Sequence, residues 1–144
     1  MKLEDIISEW ENDSKIDRTE LAEESLKIAQ LHSKYYKLFL AERTQLKKWQ
    51  SEFKQLYKVK FEYYNGTISD EELKERDWEP FALKVLKNDL DVYLDADSDL
   101  IYAQQKISLQ EDKVQFVENI IKSLTARGYN IKSAIEWIKW SQGG

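Results

Sequence analysis

The amino-acid sequence predicts an all-α protein, because residues that interrupt helices are scarce and apolar residues recur at helical spacing. Among 144 residues there are only four Gly and one Pro, and charged residues make up 34% of the chain. Such a composition favours long helices that expose much of their surface. We therefore expect long helices with a heptad-like seam, preceded by a short N-terminal helix and followed by a C-terminal helical assembly element.

A short amphipathic helix is predicted at the start of the chain, over residues 2–12. Its apolar residues, among them Ile6 and Trp10, fall at helical spacing, with acidic residues on the other side. After a break, Asp17 is a candidate N-cap for the next helix. Glu20 follows three positions later, as in a capping box.

The second predicted helix is unusually long, because neither Gly nor Pro follows Asp17 until Gly66. Apolar residues recur along it at alternating steps of three and four, which is typical of coiled-coil or bundle packing. At 1.5 Å per residue, a helix of about 45 residues is roughly 68 Å long. A domain of this size is only about 30 Å across, so the helix must protrude, kink or pack against other subunits. The pair Asn65-Gly66 is expected to end it.

Shorter elements are predicted in the middle of the chain. Ser69 is a candidate N-cap for an acidic helix over residues 70–77, whose first turn carries three acids. Pro80 is suited to the first position of a further helix, which would contain the apolar stretch that ends at Leu94.

The second long helix is predicted over residues 99–127, with Asp97 or Ser98 as its cap and Gly128 as its stop. A last helix, residues 131–141 with Asn130 as its cap, is apolar on more than one side. A helix of that kind usually touches more than one neighbour, so we interpret it as an oligomerisation element. The residues expected to form the contact are Ile131, Ala134, Ile135, Trp137 and Ile138.

A basic stretch occupies the distal half of the first long helix. From Lys34 to Lys60 there are eight basic residues and only two acidic ones, which gives a local net charge of +6 in a chain of net charge −5. A solvated helix face is the ordinary explanation of a charge run, but such faces mix acids with bases. Four cations fall on one side, away from the apolar seam, and an unmixed stripe is typical of phosphate contact. These residues are Arg43, Lys47, Lys54 and Lys58.

Two further features accompany the stripe. Lys60 falls inside the apolar seam, where a buried lysine is costly, so we expect it to snorkel or to line a central space of an oligomer. Tyr57 and Phe61 either pack in an interface or offer stacking surfaces to unpaired bases. Trp49 and Phe53 are better explained by core packing.

No catalytic or metal site is predicted. The segment 95–99 opens like a calcium-binding loop, but Leu100 stands where the loop needs Gly and Lys106 where it needs an acid. His32 is the only histidine, there is no cysteine, and neither a Gly-rich phosphate loop nor a nucleophile motif is present. We therefore expect a protein that is not an enzyme and that uses no cofactor.

No membrane span or secretion signal is predicted either. No apolar run approaches about 18 residues, and the first residues are too acidic for a signal peptide. The absence of cysteine is compatible with a reducing compartment. We expect a cytoplasmic protein with no membrane partner.

The segment from Tyr57 to Gly66, which reads Tyr-Lys-Val-Lys-Phe-Glu-Tyr-Tyr-Asn-Gly, resembles the basic motif of the UvsY family of T-even-type bacteriophages. Weaker similarities follow the same order along nearly the whole chain. They are Met1 to Asp5, Ile16-Asp17, Ser33-Lys34 and Arg127 to Lys132. The family's motif falls on Lys58 and Lys60. Lysine at position 60 replaces the motif's arginine, which keeps the charge but loses a bidentate phosphate fork.

The resemblance implies a non-enzymatic recombination mediator that forms a ring-like homo-oligomer of six or seven subunits in the host-cell cytoplasm. It implies binding to single-stranded DNA, to a RecA-like phage recombinase and to a phage single-strand-binding protein, which the recombinase replaces. On this interpretation, residues 1–68 form the DNA-binding region, 69–98 the acidic connector helices and 99–144 the oligomerisation region.

A coiled-coil scaffold or adaptor that binds only protein is the alternative. It explains the long apolar seam equally well, because coiled coils need the same spacing. It does not explain why acids are almost absent between Lys34 and Lys60. Binding to a labelled oligonucleotide at low salt separates the two hypotheses.

Overall fold

The computed structural model describes residues 1–143 and confirms the all-α prediction, since no strand occurs within that range. Gly144, the last residue of the predicted oligomerisation region, lies outside the described residues. Five α-helices and one 3₁₀ turn, Lys87–Asp89, follow one another. The helices are α1 (Leu3–Asp13), α2 (Leu21–Asn65), α3 (Asp70–Arg76), α4 (Leu90–Asp95) and α5 (Ser98–Ser141). Among residues 1–143, none of these helices combines the length and apolar character that crossing a membrane requires.

The chain forms two compact units. Unit 1 comprises residues 1–44 and 111–143, and unit 2 comprises residues 45–110. Both long helices contribute residues to both units. The functional regions predicted over residues 1–68, 69–98 and 99–144 follow the order of the chain instead, and they stay a prediction.

In unit 1, helix α1 packs with α2 and α5 around a common core. Apolar residues from all three helices are withdrawn from solvent, as their spacing in the sequence predicts. Half-buried aromatic residues, including Trp10 and Phe39, cover this core. The buried residues are Ile6, Tyr35, Val117, Ile120 and Leu124.

The C-terminus of α1 is closed by a side chain from α5. The Arg127 guanidinium donates to the backbone carbonyls of Asp13 (3.3 Å) and Ser14 (2.8 Å). The last carbonyls of a helix have no partner within it, and a basic side chain is a favourable donor there. The Arg127 guanidinium also lies 5.4 Å from the centre of the Trp10 ring. Arg127 therefore links α5 to α1 within unit 1.

The predicted stop at Gly128 is wrong, because α5 continues to Ser141 and includes Asn130, the predicted cap. Gly in a helix interior costs only about 1 kcal/mol relative to Ala. On either side of it, Leu124 and Ile131 are buried in unit 1 at 0% and 3% exposure. Their spacing of seven puts both on one helix face. Burial of that face therefore outweighs the tendency of Gly to end a helix.

In unit 2, the predicted caps are confirmed. Ser69 Oγ accepts the backbone N–H of Glu72 at 3.2 Å, and Asp97 Oδ1 accepts that of Leu100 at 2.9 Å. Helix α2 ends at Asn65 as predicted, with Gly66 in the left-handed region at φ +82°.

The helix predicted from Pro80 onward is wrong for residues 80–86, where the backbone is not helical. Only the 3₁₀ turn and α4 form in this part of the chain. Apolar residues without helical periodicity cannot all face one core from a regular helix. The irregular segment instead lets Val85 reach the core of Leu90, Leu94 and Leu100.

Candidate nucleic-acid interface

The four cations of the predicted stripe are exposed side chains of α2. Arg43 lies in unit 1, and Lys47, Lys54 and Lys58 lie in unit 2. The Lys58 side chain is 78% exposed, and its Nζ lies 3.8 Å from Glu62 Oε1, a loose surface pair that contributes little. Within residues 1–143, no ion pair engages Lys47 or Lys54. The three stripe lysines of unit 2 are therefore accessible to a polyanion.

Aromatic side chains lie beside these lysines. Tyr57 and Phe61 are each 41% exposed. At about 100° per residue, Tyr57 lies on α2 between the apolar seam and the basic stripe, and Phe61 lies at the edge of the stripe, about 20° from Lys54. The Tyr57 ring is 6.2 Å from that of half-buried Phe53. One flank of the helix thus offers cations and partly exposed rings side by side.

Lys60 has a different environment from Lys58, although the two are neighbours in the motif. Its side chain is 7% exposed, and its Nζ lies 3.0 Å from Asp97 Oδ2 and 2.8 Å from Asp99 Oδ2. The same Nζ is 4.2 Å from the centre of the Trp78 ring. Lys60 lies in the seam as its spacing predicts, but the expectation that it snorkels to solvent is wrong, because two carboxylates of the same chain hold it inside unit 2 and offset the cost of burying it.

The pKa values of this cluster follow from its contacts. Burial alone would lower the pKa of Lys60, but hydrogen bonds with Asp99 and Asp97 outweigh burial and raise it above 10.5. Burial alone would raise the pKa of Asp97. Hydrogen bonds from Tyr64, from the backbone of Leu100 and from Lys60 instead lower it below 3.8. Both groups are charged at neutral pH, and they form a closed ion pair.

The sequence did not reveal which acidic residues pair with Lys60. Asp97 serves as a helix cap, as predicted, but it also accepts the Tyr64 hydroxyl at 2.5 Å. The available signal was the cost of an unpaired lysine in an apolar seam, which demands an acid in contact. Nothing in the spacing of the sequence indicates that segment 95–99 supplies it, because the partners are 37 and 39 positions away.

The residues predicted to form the oligomer contact fall into two groups. Ile131 is buried in unit 1 at 3% exposure, and Ala134 and Ile135 are half-buried. Trp137 and Ile138 are 63% and 41% exposed. Trp140, 72% exposed, lies against Trp137 with ring centres 5.1 Å apart and the ring planes tilted by 30°. The end of α5 therefore presents a group of large apolar side chains to solvent.

Among residues 1–143, no three or more His, Asp and Glu side chains gather in a way that could hold a metal ion. The chemistry that the interface offers is ionic contact with phosphates and stacking with bases.

Comparison with known proteins places this geometry in a family. The chain is 24% identical over 132 residues to the recombination protein UvsY of Enterobacteria phage T4, a match that covers 92% of this chain and 91% of the relative. Two crystal structures of the T4 recombination mediator protein UvsY have the same fold. One aligns with a TM-score of 0.85 at 22% identity and covers 100% of this chain and 99% of the other. The second has a TM-score of 0.84 at 21% identity and covers 97% and 99%.

A family model also matches almost the whole chain. The model of the family described as recombination, repair and ssDNA binding protein UvsY matches residues 9–144. This range includes the whole basic stretch, the buried Lys60 cluster and α5. The resemblance found in the motif at Tyr57 to Gly66 is confirmed, and the chain belongs to the UvsY family of recombination, repair and single-stranded-DNA-binding proteins.

Proposed function

We propose that the chain is a recombination mediator that binds single-stranded DNA along the exposed face of α2. It promotes loading of a RecA-like phage recombinase in place of the phage single-strand-binding protein, in the cytoplasm of the host cell. The observation that carries this proposal is the set of exposed lysines Lys47, Lys54 and Lys58 beside Tyr57 and Phe61. The family's description as ssDNA-binding supports it.

The proposed contact has an ionic part and a stacking part. Phosphates of the strand lie against the lysines of the stripe, with Arg43 extending it, and unpaired bases stack on Tyr57 and Phe61. Neither kind of contact reads base sequence, as a mediator that acts anywhere on a strand requires. Lys60 acts as a positioning residue in this scheme, because its two carboxylates hold it inside unit 2.

We also propose that six or seven copies assemble through the end of α5. Exposed Trp137 and Ile138 form the contact, next to Ile131, Ala134 and Ile135, which support it from within the chain. A single patch of a few cations binds a strand weakly, whereas linked patches raise avidity by roughly 10²–10⁴. The acidic remainder of the chain attracts basic surfaces of protein partners.

The DNA contact is tested with Lys54→Ala/Lys58→Ala, because both side chains are exposed and their removal leaves the core intact. Affinity for a labelled oligonucleotide is measured by fluorescence anisotropy over a salt series. The salt slope should fall by about 0.7 for each phosphate that the variant no longer neutralises. Lys84→Ala/Lys87→Ala is the matched control, since it removes two exposed lysines of unit 2 outside α2.

An equal fall in affinity in both double variants would mean that only overall charge matters and would refute the stripe. Wild-type protein that fails to bind at low salt would favour the protein-only scaffold. Lys60→Ala is unsuitable for this test, because removal of a buried ion-pair partner affects the fold itself.

Assembly is tested with Trp137→Ala/Ile138→Ala, measured by native mass spectrometry. Removal of two exposed apolar side chains should shift the distribution toward smaller species without unfolding unit 1. Tyr102→Ala is the control, because Tyr102 is 69% exposed on the same helix but far from its end. An unchanged number of subunits in the double variant would refute the assignment.

A further inference from the structure

A groove in unit 2 opens beside the exposed face of α2, next to Tyr57 of the proposed contact. Its volume is about 210 Å³. Phe53 and Tyr57 of α2 line one side, Ile101 and Gln104 of α5 line the other, and Asp95, the last residue of α4, also contributes. Sites for drug-sized molecules measure about 300–1,000 Å³, so this groove is suited to a single small ring.

The groove lies on the same flank of α2 as the lysines. At about 100° per residue, Tyr57 is turned by about 40° from Phe53, Lys54 by about 100° and Lys58 by about 140°, all in the same sense. A strand whose phosphates contact Lys54 and Lys58 therefore passes the mouth of the groove. A second groove, lined by Glu52, Leu56 and Lys106, is on the other flank, next to an acid.

The chemistry of the walls fits a nucleobase better than a phosphate. Tyr57 and Ile101 are 41% and 43% exposed and supply an aromatic ring and an aliphatic wall. Asp95 and Gln104 are exposed, and within residues 1–143 neither side chain enters a hydrogen bond or ion pair. A carboxylate repels phosphate, but it accepts hydrogen bonds from an amino group on a base edge.

We infer that a nucleobase of the bound strand turns into this groove, stacks on Tyr57 and directs its edge toward Gln104 and Asp95. This inference rests on the proposed function and specifies how bases contribute to it. Bases with an exocyclic amino group, such as cytosine, are favoured over thymine, because thymine offers Asp95 only its single ring N3–H and no amino group. The preference is mild and is compatible with binding to any sequence.

The test compares oligonucleotides of one length that carry cytosines, thymines or abasic sites, with anisotropy at a salt concentration that weakens the phosphate contacts. Wild-type protein should bind the cytosine strand at least roughly fivefold more tightly than the abasic strand, the lower limit for one stacked base. Gln104→Trp fills the groove and should abolish most of this difference. Gln105→Trp, the same change at the adjacent exposed position outside the groove, should preserve it.

Asp95→Ala tests the base edge separately. It removes a negative charge and so strengthens binding to every strand, but the ratio of cytosine to thymine affinities, roughly two- to tenfold in the wild type, should fall toward one. A ratio that stays unchanged would overturn the role of Asp95. Circular dichroism verifies that each variant retains its helices.

Equal binding of base-bearing and abasic strands by the wild type, with a normal salt slope, would overturn the groove and the stacking part of the contact, while leaving the proposed binding of single-stranded DNA through phosphates intact. A base preference that survives Gln104→Trp would also overturn it and would assign stacking to the open rings. Failure of the wild type to bind any strand would instead refute the proposed function, and the inference with it.

Discussion

Unit 1 and unit 2 each contain a tyrosine, an aspartate and a lysine joined through one carboxylate oxygen. In unit 1, Asp13 Oδ2 accepts from the Tyr35 hydroxyl and from Lys34 Nζ, both at 2.7 Å. In unit 2, Asp97 Oδ2 accepts from Tyr64 at 2.5 Å and pairs with Lys60 Nζ at 3.0 Å. Burial raises the pKa of both tyrosines, and the hydrogen bond to the carboxylate raises it further.

The two clusters differ in their exposure to water. The side chains of Lys34 and Asp13 are 45% and 25% exposed, whereas those of Lys60 and Asp97 are 7% and 4% exposed. Lys34 is adjacent to its tyrosine and reaches the carboxylate from the surface. Lys60 precedes Tyr64 by four positions, so both enter the core from one helix face. The same three groups therefore form a surface contact in unit 1 and an internal one in unit 2.

The two clusters should differ most in the stability that is lost when the lysine of each is replaced. Lys60→Ala leaves two carboxylates without their cation, one of them buried, and should lower the free energy of unfolding by about 3–5 kcal/mol. Lys34→Ala breaks two partly exposed pairs, with Glu9 and with Asp13, and should lower it by about 0–1 kcal/mol. Urea unfolding followed by circular dichroism measures both. Equal decreases would show that burial does not distinguish the clusters.

The two clusters should also differ in how much they contribute to the loss of stability at acidic pH. The pKa of Asp97 and that of Asp13 are lowered in the folded chain from 3.8. Each carboxylate therefore contributes stability that is present above this value and lost as pH falls through the lowered folded pKa. Asp97→Asn should flatten the decline of the urea midpoint below about pH 4. Asp13→Asn should flatten it less, since water screens Asp13; the reverse order would contradict the comparison.

The smallest effects are expected at two glycines, one in each unit. Gly66 ends α2 at φ +82°, where Ala costs about 1–2 kcal/mol. Gly128 lies inside α5, and a Cβ there would meet only Ile28 Cδ1 at 3.9 Å, an ordinary contact. Gly128→Ala should therefore raise the free energy of unfolding by about 0.4–1 kcal/mol, and Gly66→Ala should lower it. Thermal melts of both variants measure the sign, and shifts in the same direction would contradict this assignment.

The features predicted correctly from the sequence depend on local signals. The end of α2 at Asn65 follows from the adjacent Gly66, and the Ser69 and Asp97 caps follow from residue type next to a helical pattern. Helical periodicity alone assigns Lys58 and Lys60 to different faces. Each of these signals lies within a few residues of the structure that it determines.

The features that the sequence did not reveal depend on distant contacts. Gly128 indicates a stop locally, but burial of the α5 face between Leu124 and Ile131 overrides it. The acids that pair with Lys60 come from another helix end, and no spacing rule connects them. The groove beside Tyr57 exists only because α5 packs near that part of α2 within unit 2.

The closure of α1 by Arg127 has a consequence for the order in which the chain folds during synthesis. The residues of unit 2 are contiguous, whereas the Arg127 contact to Asp13 spans 114 positions. At about 5–20 residues per second, a ribosome needs roughly 6–23 s to progress from Asp13 to Arg127. Until the ribosome reaches Phe116, Ile6 has none of its α5 partners. Helix α1 is thus made long before its core is complete, and the part of its apolar face that α5 covers is exposed on the nascent chain until α5 emerges.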